Sequence, residues 1–174
     1  MTLPFMTYFP KGLERIGGQP TNFIPKLWEG LILCKNINPA EAHGILAACL
    51  NERLMAIKRN PELKPKLHTF REDPYDRWQP GKLIHAVVNN RTPNRFQFLP
   101  TIPCVGTQKV QICHYSKEMY GNRPPDIQVD NIRMTPQAVE LMAHNDGFER
   151  VEDFFAYFNT DFKGKIIHLT DLRY

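Results

Sequence analysis

No stretch of this 174-residue chain approaches the ~18 consecutive apolar residues of a membrane-spanning helix, so no membrane partner is expected. The opening Met1-Thr2-Leu3-Pro4-Phe5 lacks the basic and long apolar regions of a secretion signal. Cysteine is sparse, and Cys34, Cys49, Cys104 and Cys113 form no C-x-x-C pair. Neither a disulfide framework nor a metal site is expected, and a reducing cytoplasm suits that usage. No cofactor is expected, and there is no internal repeat or low-complexity tract. One-signed charge is also scarce: 22 Lys and Arg against 18 Asp and Glu leave +4. That excess tolerates a phosphate-bearing partner but falls short of a DNA-coating protein.

What is present is an ordinary globular mixture, 42% hydrophobic and 23% charged, long enough for a single domain over 1–174 with a real core. Fifteen prolines predict many turns and element boundaries. Residues 1–20, with three prolines and Gly17-Gly18, read as a turn-rich lead-in. Phe23 to Gly30 predicts a short helix with Gly30 as its C-cap. Asn38-Pro39-Ala40-Glu41 starts a second helix, continued at helical spacing from Ile45 to about Lys58.

Further along, the period changes. Trp78-Gln79-Pro80-Gly81 reads as a turn before a strand over Lys82–Val88. Phe96–Leu99, Lys109–Cys113, Ile127–Ile132 and Lys165–Leu169 are further strand candidates. Thr135-Pro136 opens a helix to about Asn145, and Asp146-Gly147 is a turn. Val151, Phe154, Phe155 and Phe158 repeat at i, i+3, i+4 and i+7, an amphipathic helix whose aromatic face belongs in a core. Strands with few helical crossovers imply an α+β fold, a mostly antiparallel sheet or small barrel with flanking helices.

Chemistry gathers in Lys66-Leu67-His68-Thr69-Phe70-Arg71. In an extended segment Lys66, His68 and Phe70 share one face and Leu67, Thr69 and Arg71 the other. Polar groups on both faces suit anion binding or proton transfer; on this stretch alone a basic edge strand is the more ordinary explanation.

Lys66-x-x-Thr69-x-Arg71 after the Phe23–Gly30 segment, then Trp78-x-x-Gly81 before a strand, resembles the ASCH domain family of PUA-like folds. The tail Asn145-Asp146-Gly147-Phe148, Val151-x-x-Phe154-Phe155 and Gly164-Lys165-Ile166-Ile167-His168 is similar to that family's closing helix and strand. In the family, a short helix leads almost directly into the K-x-x-T-x-R strand. Here roughly 35 residues intervene, so residues 31–65 read as a helical insertion. The resemblance implies a small barrel and a cleft beside the 66–71 strand that takes RNA or a modified nucleotide or nucleoside.

One branch of the family hydrolyses the acetyl amide of N(4)-acetylcytidine with a lysine, a threonine and a glutamate. By position these fall on Lys66, Thr69 and, with a shorter acid, Asp146. A desolvated Lys66 would be the base that activates Thr69, Asp146 would orient it, and Arg71 would meet a phosphate or carbonyl oxygen. His68 would touch a substrate or be a structural histidine. Phe70 would stack on a base; Trp78 would do the same or plug the barrel. A third possibility is a protein-interaction module built on the 31–65 insertion.

Overall fold

The computed structural model describes residues 1–34 and 63–174. Its strands are β1 (Thr2–Pro4), β2 (His68–Arg71), β3 (Leu83–Val88), β4 (Phe96–Gln97), β5 (Ile102–Pro103), β6 (Gly106–Cys113), β7 (Asp126–Val129), β8 (Ile132–Arg133) and β9 (Phe162–His168). Its helices are α1 (Phe23–Leu33), α2 (Lys117–Tyr120), α3 (Pro136–Asn145) and α4 (Val151–Tyr157). Among the described residues the strands form two sheets rather than one closed ring. The larger runs β2-β9-β6-β7-β8 and is antiparallel throughout. In the smaller, β3 pairs in parallel with β1 and antiparallel with β4 and β5. The fold is α+β with a mostly antiparallel strand arrangement.

Alternation builds the larger sheet. In β6, Gly106, Gln108, Val110 and Ile112 point inward while the residues between them are partly or fully exposed. Those positions lie opposite His168, Ile166, Gly164 and Phe162 of β9. A single apolar cluster runs from Leu3 through Trp28, Ile84 and Val110 to Phe154 and Ile167, tying both sheets to α1, α3 and α4. The aromatic face of α4 joins it as expected: Phe154 packs on Phe70 and Phe148 with ring centroids 5.4 Å from each.

Local signals with one physical meaning are realised as read. Thr135 caps α3, its side chain accepting from Ala138 N at 3.2 Å, with Pro136 as first helical residue. Others are corrected. The single strand expected over Ile127–Ile132 is a hairpin, because Asp130 and Asn131 take φ of 48° and 68°, a primed turn joining β7 to β8. The lead-in contains β1 despite its prolines; as an edge strand it does not need every N–H. Gly30 is not a helix cap but sits inside α1, which runs on to Leu33.

The reason for Gly30 is contact: a Cβ there would come within 2.5 Å of the Lys66 carbonyl oxygen. Gly30→Ala is therefore expected to destabilise the fold by about 2 kcal/mol, read as a lowered urea midpoint at unchanged slope. The helix expected over 38–58 lies outside the described residues, as does most of the 31–65 insertion, whose first residues Leu31–Leu33 belong to α1. No helix among the described residues is long and apolar enough to cross a membrane.

Candidate active site at the entrance to β2

Lys66 is not part of a strand. It lies two residues before β2, its N–H donating to Lys26 O of α1 at 2.9 Å, while Leu67 N donates to Asn145 O at the end of α3 at 2.8 Å. These two bonds clamp the segment between helices, so the alternation expected from Lys66 to Arg71 holds only within β2, where the His68 and Phe70 ring centroids lie 5.5 Å apart. Lys66, Thr69, Phe70 and Arg71 all border one cavity, whose lining does not include His68.

Asp146 follows the last residue of α3, where Gly147 adopts φ of 94°. A Cβ on Gly147 would lie 3.0 Å from the Phe23 ring and 3.3 Å from the Lys66 side chain, so glycine lets the turn close over the lysine. The Lys66 ammonium donates to Asp146 Oδ1 at 2.6 Å and also to the Asp146 carbonyl. It stands 4.5 Å from the centre of the Phe23 ring. Lys66 is 1% exposed and Asp146 3%. Burial pushes the Lys66 amine down to about 8, against the pull of Asp146, with the cations Arg71 and Lys26 adding to the depression.

The cavity encloses about 390 Å³, within the span of small-molecule sites. Its walls carry the rings of Phe5, Phe23, Phe70, Phe148, Tyr157 and Phe158, together with Lys66, Thr69, Asp146 and Arg71. Arg71 Nη2 donates to Pro4 O at 2.6 Å and Nη1 to Phe70 O at 3.2 Å, while its buried Nε–H has no protein acceptor. Flat apolar walls, one fixed guanidinium and a lysine–aspartate pair beside a hydroxyl can hold a planar ring and move a proton. Comparisons with protein-family models, curated proteins and solved structures return no match for this chain.

Of the residues singled out in sequence, Lys66, Thr69 and Asp146 meet at this cavity, with Phe70 and Arg71 beside them. His68 is fully buried and faces Asp146 from behind, Nδ1 to Oδ1 at 3.7 Å. Trp78 is buried in the apolar cluster away from the cavity, its carbonyl accepting from Lys165 Nζ at 2.6 Å. That is the packing role, not the stacking one.

Sequence reasoning missed Lys26, buried on α1 and donating to Gly147 O at 2.7 Å, where it braces the turn that carries Asp146. It missed Tyr174, Asn145 and His168 as well, which belong to a buried polar network behind the site. Only the cost of burying such groups in an apolar segment could have flagged them. A larger cavity of about 670 Å³ lies over the outer face of the β2-β9-β6-β7-β8 sheet. No aromatic ring lines it, and its Lys165 is neutralised by Asp73 at 3.3 Å and by Asp76.

Proposed function

We propose that the cavity beside β2 binds an acylated pyrimidine base and that Lys66, Thr69 and Asp146 hydrolyse its acyl amide, as in the N(4)-acetylcytidine branch of the ASCH family. The observation that carries this reading is the convergence of a buried Lys66–Asp146 pair and Thr69 on one aromatic-walled cavity. On the same reading the two sheets correspond to the halves of a PUA-like barrel.

Lys66 is desolvated enough to spend part of its time neutral near pH 7. Neutral Lys66 takes the Thr69 hydroxyl proton as Oγ1 attacks the acyl carbon, and the carbonyl oxygen becomes an oxyanion beside the Arg71 guanidinium. Collapse of this intermediate breaks the C–N bond. The Lys66 ammonium returns its proton to the leaving amine, and the acyl group remains on Thr69 as an ester. Water, deprotonated in turn by Lys66, cleaves the ester to acetate and regenerates the hydroxyl. Asp146 holds Lys66 in place throughout.

The test is release of cytidine from N(4)-acetylcytidine. Turnover is expected in the intact chain, lost by at least about a hundredfold in Thr69→Ala and partly retained in Thr69→Ser, which keeps the hydroxyl. Full activity in Thr69→Ala would remove the nucleophile and with it the mechanism. A binding-only role, with RNA or a modified nucleotide as ligand in the cavity beside β2, is favoured by its aromatic walls and the Arg71 guanidinium. It would be indicated by no cytidine release together with RNA retention that weakens as salt is added.

A further inference from the structure

Behind the cavity lies a buried polar chain that the hydrolysis scheme leaves unused. His68 and His168 are both fully buried, with ring centroids 5.8 Å apart. Burial pushes both imidazoles below their ordinary value, His168 to about 3, so both are neutral near pH 7. A neutral imidazole carries one proton, and the surrounding donors and acceptors decide where.

For His68 the count is decisive. Its Nε2 lies 2.7 Å from the Tyr174 hydroxyl, which already accepts from Asn145 Nδ2 at 2.9 Å. Among the described residues Nε2 is the one acceptor beside that hydroxyl, so the hydroxyl proton goes to Nε2 and the ring proton sits on Nδ1. That atom is buried, has no hydrogen-bond partner and faces Asp146 Oδ1 at 3.7 Å. The opposite tautomer would aim an imidazole lone pair at a carboxylate.

His168 is held the other way. Gln108 Nε2 donates to Asp130 Oδ2 at 3.0 Å and to the Tyr174 carbonyl at 2.8 Å, so its Oε1 is an acceptor. His168 Nε2, 3.0 Å from that oxygen, is therefore the donor.

We propose that Tyr174 and His68 are positioning residues for Asp146: Tyr174 fixes the His68 tautomer, and His68 Nδ1–H steadies the carboxylate that pairs with Lys66. The catalytic consequence rests on the hydrolase reading; the tautomers and the coupling to Lys66 do not. The charged groups facing this carboxylate are Lys66 ahead of β2 and Arg71 at its end, while Lys26 on α1 acts on Lys66. Tyr157 on α4 faces it too, and His168 and Arg173 stand behind His68. None of these others touches His68 Nε2; Tyr174→Phe also removes the acceptor of Asn145 Nδ2, so Asn145→Ala, which leaves the Tyr174–His68 contact in place, is the control.

The experiment is long-range proton–nitrogen NMR on the imidazoles of the intact chain, with a pH titration of the Lys66 side chain in wild type and Tyr174→Phe. Wild type is expected to carry its proton on Nδ1 at His68 and on Nε2 at His168. In Tyr174→Phe the His68 preference is lost and the Lys66 midpoint rises by roughly half a pH unit, because a carboxylate no longer steadied by His68 Nδ1–H leans harder on the charged ammonium. Turnover of N(4)-acetylcytidine falls about tenfold in kcat with KM unchanged. A His68 proton on Nε2 in wild type, or an unmoved Lys66 midpoint in Tyr174→Phe, overturns the proposal whether or not the chain hydrolyses the nucleoside. The NMR pattern without wild-type turnover supports the positioning pair and removes only the hydrolase reading.

Discussion

Hydrolysis of N(4)-acetylcytidine is expected to disappear in Lys66→Ala and, in the intact chain, to climb about tenfold between pH 7 and pH 9. The sign follows from the base's role, which needs the uncharged amine. With a midpoint of about 8, close to one lysine in ten is neutral at pH 7 and about nine in ten at pH 9. An exposed lysine with a midpoint near 10.4 would instead keep gaining activity beyond pH 10. A kcat/KM profile that levels off near pH 9 therefore identifies the buried amine as the titrating base. A profile flat from pH 6 to 9, or a Lys66→Ala chain with undiminished turnover, would assign the proton transfer elsewhere. Lys66→Arg is as informative as alanine: the guanidinium stays charged at every accessible pH, so turnover is expected to vanish although the positive charge beside Asp146 remains.

The parts of this fold that could be read from sequence are those whose cause lies within a few residues. Thr135-Pro136 caps a helix through its own hydroxyl and ring, and β6 alternates because one of its faces is buried. Gly30 was misread because a glycine that ends a helix and one that admits a neighbouring backbone look alike locally; the Lys66 carbonyl that decides between them arrives from beyond the intervening segment. The Lys66–Asp146 pair joins residues 80 apart, and the His68–Tyr174 contact residues 106 apart. No periodicity encodes either. The first was reachable through the K-x-x-T-x-R resemblance, whereas for His68 the sequence offered a substrate contact or a structural histidine and nothing that named Tyr174 as its partner. Trp78 shows the converse: an aromatic near a ligand motif is more often packing than contact.

The pair at the centre of the site is a poor way to stabilise a protein, and that has a measurable consequence. Removing one partner strands a buried charge, so Lys66→Met and Asp146→Asn are each expected to cost about 3 kcal/mol in urea unfolding at pH 7. Together they should cost about 4 kcal/mol, less than the sum, since Met fills the lysine's volume and Asn still offers an oxygen to His68. A coupling of roughly 2 kcal/mol is the expected result. Strictly additive losses would mean that the two side chains do not act as a pair.

The pH dependence separates the same variants. Lys66 titrates at about 8 when folded against 10.5 ordinarily, so between these values the unfolded chain binds more protons than the folded one. Stability of the intact chain therefore rises with pH across that window. The penalty is fully present below pH 8 and relieved by about pH 10.5, roughly 3 kcal/mol in all. In Lys66→Met/Asp146→Asn this contribution to the slope is expected to be absent. A double variant that lacks the rise above pH 8 and hydrolyses nothing would tie both this pH dependence of stability and the chemistry to the one pair.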